Sequence, residues 1–170
     1  MINRLEFLDQ PGCFNFGKNR VFSQEEHIEQ HGDEDKLKTL ICLESLLDIC
    51  YQALAGMVYK EGAAQECQRF ASHTKAHQKE LRQLFPLSQE SEIAIKSKVY
   101  KYLLQLMSPR LFLRAVINLA MSLTAYKMDI YEYFSHTDRR HYELLNNFFE
   151  GSVEEMKFLR REMEFYQNVG

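Results

Sequence analysis

Apolar residues recur along most of this chain at helical spacing, and four long segments carry the pattern. In the first, Leu40, Leu47, Tyr51, Leu54 and Val58 share one face at 3.6 residues per turn. A helix is therefore predicted from about Asp33 to Lys60. The acidic turn Asp33, Glu34, Asp35 opens it at the positive end of the helix dipole, and Gly62 closes it. A second helix is predicted from Ala63 to Phe85, with the stripe Cys67, Phe70, Ala71, Thr74, Gln78, Leu81, Phe85. It stops at Pro86, whose ring disfavours helical backbone in the residue before it. Ser108 and Pro109 form an N-cap and first-turn pair for a third helix running to Phe134. After a polar turn, Ser135 to Asp138, a fourth runs from Arg139 to Gln167 and turns Leu145, Phe149, Ser152, Met156, Leu159 and Met163 inward.

Long helices joined in pairs by short turns predict an all-α protein, an antiparallel four-helix bundle over residues 33–170. The connection from Pro86 to Met107 is too long for a hairpin turn and reads as a crossover. Ile95, Val99, Leu103 and Met107 keep helical spacing within it, so part of it is expected to be a short helix packed across the bundle. Residues 1–32 read as an irregular N-terminal arm. Ser23 and Glu26 form a capping box there for a short helix ended by Gly32.

Length and composition narrow the function classes. At 170 residues the chain suits one domain able to bury roughly 70% of the surface its unfolded form exposes. A net charge of −3 leaves no electrostatic footprint for nucleic acid or anionic lipid, so neither is an expected partner. Charges interrupt every short apolar run at the N-terminus, so no signal peptide is expected. No stretch approaches the ~20 apolar residues of a membrane span, and a cytoplasmic location is expected. Cys13, Cys42, Cys50 and Cys67 lack metal-site spacing and read as reduced thiols. Neither a nucleophile with a His and an acid nor a glycine-rich phosphate loop can be identified, so hydrolase chemistry has no support.

The chemistry-bearing residue that stands out is Glu44, in the middle of the first apolar stripe. An ionisable group there needs a metal, a Lys or Arg, or a hydrogen-bonding tyrosine. Lys127 lies on the inward line of the third helix between Leu123 and Ile130, and an ion pair with Glu44 is one solution. His73 and His77, and His27 and His31, have the i, i+4 spacing of a helical metal motif, but their charged neighbours give the surface reading for both pairs.

Two helical hairpins joined by a long crossover, with the inward Glu44 followed seven residues later by Tyr51, resemble the ferritin-like superfamily, especially its rubrerythrin-type members. That resemblance implies one inward Glu from the first helix of each hairpin and a Glu-x-x-His from the second, together holding two iron or manganese ions. Carried onto this chain, the Glu-x-x-His frames fall on Thr74 and His77, and on Ser152 and Glu155, while the third helix offers Val116, Leu119, Ala120 and Leu123. A dinuclear site is thus degenerate. The lead expectation is a non-enzymatic bundle that works by binding or self-association, with no cofactor. The alternative is a metal-binding or oxidoreductase protein that uses Glu44, His77 and Glu155, joined by Tyr51 or Glu66, for iron, manganese or zinc. The third helix is apolar nearly all round, with Leu111, Leu113, Ile117 and Met121 off its inner stripe. A homodimer through this helix, or cover by the N-terminal arm, would bury that face.

Overall fold

The structure, a computed structural model, describes residues 32–106 and 113–168. The N-terminal arm with its Ser23–Glu26 capping box, Cys13, His27, His31 and the Ser108–Pro109 helix start lie outside these residues. The described chain is all-α, with five helices: α1 (Asp33–Met57), α2 (Glu61–Leu84), α3 (Gln89–Leu106), α4 (Leu113–Thr137) and α5 (Tyr142–Asn168). No strand occurs among the described residues.

Helix ends follow local hydrogen bonding more than the glycine and proline pattern. Gly32 stands at the N-cap of α1, where its carbonyl accepts the Asp35 and Lys36 N–H groups at 3.0 and 3.1 Å. α1 ends earlier than expected because Val58 turns extended, at φ −76° and ψ 139°, while its N–H still reaches the Leu54 carbonyl. The next N–H, on Tyr59, is taken by the Tyr166 hydroxyl at 3.1 Å, and Gly62 becomes part of α2. The polar turn expected at 135–138 is shorter. Ser135 and Thr137 stay helical, each hydroxyl returning to a carbonyl of its own helix. Asp138 then accepts the Arg140 and His141 N–H groups, so the chain turns there into α5.

The crossover is a full helix. Ser88 caps α3, its hydroxyl accepting the Ser91 N–H at 3.2 Å. Ser91 reaches Glu34 of α1 at 3.4 Å, and Arg82 of α2 meets Glu92 with nitrogens at 2.7 and 3.3 Å, which ties α3 to the first hairpin.

α1 is the hub: it packs against α2, α3 and α4, while α4 also packs along α5. A helix covered on several sides must be apolar on several sides, and twelve of its residues are buried, including Leu40, Leu43, Leu47 and Leu54. Each fully buried leucine contributes about 1.5–3 kcal/mol of transfer free energy. The same composition makes α1, contrary to expectation, long and apolar enough to cross a membrane by length and hydropathy. More than half of that window is buried inside the protein, the pattern of a core helix. α2 and α5 meet at only a narrow seam and are correspondingly amphipathic. On α4, Ile117 is buried and Leu113 and Met121 are half-buried, while Leu111 lies outside the described residues.

Candidate functional site: a buried carboxylate–lysine cluster

Four helices each place ionisable groups at one level of the interior. α1 supplies Glu44 and, two turns on, Tyr51. α2 supplies His77, α4 supplies Lys127 and Tyr131 one turn apart, and α5 supplies Glu155. Glu44, Tyr51, Lys127, Tyr131 and Glu155 are completely buried; His77 alone keeps some side-chain exposure, 11%.

Lys127 is the centre. Its Nζ lies 2.8 Å from Glu155 Oε2 and 3.4 Å from Glu44 Oε2. Glu44 is fully engaged: besides Lys127, its Oε1 accepts the Tyr131 hydroxyl at 2.5 Å and faces His77 Nδ1 at 3.1 Å. Glu155 is not. Its Oε2 accepts Lys127 and, at 3.1 Å, the Tyr51 hydroxyl, while its Oε1 has no partner. Among the other described side chains, the buried Thr124 hydroxyl is also unpartnered.

The two carboxyls consequently diverge in acidity. Burial raises the pKa of Glu44, but the Lys127 charge, His77 and the Tyr131 hydrogen bond outweigh it and hold the group below its ordinary value. For Glu155, burial prevails, with the Glu44 charge adding to it against Lys127, and the group is raised. Burial disfavours the Lys127 ammonium, yet Glu155 and Glu44 more than compensate and keep it charged. Burial, then the neighbouring Glu155 and Glu44 charges respectively, push the Tyr51 and Tyr131 phenols far up, so both remain O–H donors.

Of the residues singled out in the sequence, Glu44, Lys127, Tyr51, His77 and Glu155 come together. The Glu44–Lys127 pair forms, with Glu155 as a second acceptor. His77 departs from its surface expectation: it is buried, its ring stacked 4.0 Å from that of Phe148. His73 stays half-buried at the outer edge. Glu66 does not join; it is half-buried at the surface and paired with Arg69. Thr74 and Ser152, at the Glu positions of the two Glu-x-x-His frames, return their hydroxyls to the Ala71 and Phe148 carbonyls. Cys42, Cys50 and Cys67 are buried, and burial pushes the Cys50 and Cys67 thiols up to about 12, which makes them poor nucleophiles.

Tyr131 and Glu162 are among the buried groups that escaped the sequence reading. Tyr131 is one turn beyond Lys127 on the same inward line, a spacing that could have flagged it. Glu162 follows Glu155 at i+7 on the buried face of α5, where its Oε2 has no partner.

A pair of hard cations needs several carboxylates to neutralise and bridge it. Here the only two at the centre share an ammonium. No group of three or more His, Cys, Asp or Glu among the described residues is arranged to hold a metal ion, so this donor set does not fit a dinuclear centre.

Gly151 of α5 faces His77 across the α2–α5 seam, and a β-carbon there would lie 4.0 Å from His77 Cε1, an ordinary contact. Gly151→Ala is therefore expected to raise stability by about 0.5–1 kcal/mol, the helix-propensity difference, without disturbing His77. Urea unfolding checks it, and a loss would show that the seam is tighter than this spacing.

Comparison with protein-family models, curated proteins and solved structures finds no match to the chain.

Proposed function

We propose that the chain is an antiparallel four-helix bundle of ferritin-like layout, non-enzymatic, and acting through binding or self-association. Lys127 is the fixed cation of its interior. The observation that carries this reading is the position of the Lys127 ammonium, within 3.4 Å of one carboxylate and 2.8 Å of another, both wholly buried. In a ferritin-like layout, inward carboxylates of different helices neutralise metal ions. Here a side chain of the protein supplies the positive charge, and Thr74 and Ser152 stand where further carboxylates would be needed. Packing of the two hairpins through α1 and α4 supports the bundle, and α3 fits the crossover between them. Self-association is assigned to α4, where Leu113 and Met121 remain partly open.

Elemental analysis of protein purified without chelator tests this directly. Iron, manganese and zinc are expected to be far below stoichiometric. One or more tightly held metal ions per chain, lost on Glu44→Gln or Glu155→Gln, would replace this reading with metal-dependent chemistry at Glu44, His77 and Glu155.

A further inference from the structure

The cluster contains two carboxylates and one ammonium, and its hydrogen bonds are unequally shared. Glu44 receives three donors on two oxygens. Glu155 receives two donors, both on Oε2, and its Oε1 is buried with none. An ionised oxygen without a donor in a dry interior costs more than almost any other arrangement. Two interacting acids in unequal surroundings divide into one that stays ionised and one that keeps its proton.

We propose that Glu155 is a proton-binding site: at neutral pH it carries a proton on Oε1, leaving Glu44 and Lys127 as the ionised pair. Loading forms one O–H bond at Oε1 as a hydronium ion of the bulk solvent gives up its proton and leaves as water, and no other bond of the protein changes. Counting Glu44, Glu155 and Lys127, the cluster passes from one net negative charge to none. The groups that face Glu155 are Glu44 and Tyr51 from α1, His77 from α2 and Lys127 from α4, with Glu162 two turns along its own helix. His77, the one member with side-chain exposure, is the solvent side of the cluster.

The consequence for stability has a definite sign. Glu155 holds its proton in the folded state above the pH at which an unfolded glutamate releases it. Its stabilising contribution is complete below the ordinary carboxylate range and declines as pH rises through its raised value. Glu44, held low, does the reverse and loses its contribution only as pH falls through its lowered value. Glu155→Gln mimics the protonated acid, so it is expected to match wild type at acid pH, below the ordinary carboxylate range, and to lack the decline in stability that wild type shows as pH rises above it.

Carboxyl-labelled glutamate followed by carbon NMR across a pH series tests the assignment. One carboxyl is expected to titrate above the ordinary range, to vanish from the spectrum of Glu155→Gln, and to coexist with an ionised Glu44. A Glu155 signal that ionises in the ordinary range, or a raised carboxyl that traces to Glu44, would overturn it. Should Glu155→Gln not fold, the wild-type infrared spectrum decides. A buried protonated carboxyl gives a carbonyl band that shifts in deuterium oxide, and its absence at neutral pH refutes the site. Loading depends on these contacts and not on a ferritin-like layout, so a flat titration leaves the metal analysis to stand or fall alone.

Discussion

Lys127→Ala is expected to lose about 3–5 kcal/mol of stability, because it leaves buried carboxyls without their counter-charge. The native pair itself contributes little net energy, since desolvating the ammonium and Glu44 offsets most of their attraction. The damage comes from breaking it. In the variant, Glu44 keeps only Tyr131 and His77, and Glu155 keeps only Tyr51. Against a total of about 5–15 kcal/mol for a domain, that loss places the chain near its folding threshold at room temperature. Replacing the charges together separates the two effects. Glu44→Gln, Lys127→Met and Glu155→Gln in one chain remove every formal charge while keeping volume, and this triple variant is expected to recover most of what Lys127→Ala loses. Urea midpoints of the three proteins decide the matter. A loss under about 1 kcal/mol for Lys127→Ala would mean that the ammonium is solvated, in the range of an exposed ion pair.

How far this centre could be read from sequence depended on periodicity. Glu44 was legible because it interrupts an otherwise apolar stripe, and Lys127 because it lies on the inward line of its helix. Their meeting depends on the heights of α1 and α4 along their shared contact, which no local pattern encodes. His77 was misplaced for a related reason. It lies off the centre of the α2 stripe, among charged neighbours, and is drawn in by partners remote in sequence: Glu44, Phe148 and the side-chain-free surface at Gly151. That glycine fell at no break in periodicity, so composition alone gave it no role.

The helix ends show the same division. Asp33, Glu34 and Asp35 marked the start of α1 correctly through their own chemistry. Its end did not follow Gly62, because the Tyr59 N–H is satisfied by Tyr166, more than a hundred residues away. Propensity located the helices and tertiary partners trimmed them. The all-α class was therefore legible from residues 33–168, whereas the neighbours of each helix became clear only once packed.

Tyr131→Ala is expected to lose about 3–5 kcal/mol, the range for a fully buried aromatic truncated in a core that cannot close around the gap. Its ring packs edge-on against Phe148 at 5.6 Å and His77 at 6.3 Å, and both faces of that space belong to rigid helices. Tyr131→Phe isolates the hydroxyl. It keeps the ring and removes one donor from an ionised acceptor, Glu44, so about 1.5–3 kcal/mol is expected to be lost. Tyr51→Phe supplies the comparison, since its hydroxyl donates to Glu155, the carboxyl held neutral; there about 0.5–1.5 kcal/mol is expected. The pH profiles should differ as well. Without the Tyr131 hydroxyl, Glu44 is held less far below its ordinary value, so the stability lost as pH falls through the acid range shrinks and that limb of the curve flattens. Tyr51→Phe leaves Glu44 untouched and should keep the wild-type acid limb. Equal costs and equal acid limbs for the two phenylalanine variants would show that the two carboxyls carry the same charge, and the division of labour between Glu44 and Glu155 would be lost with it.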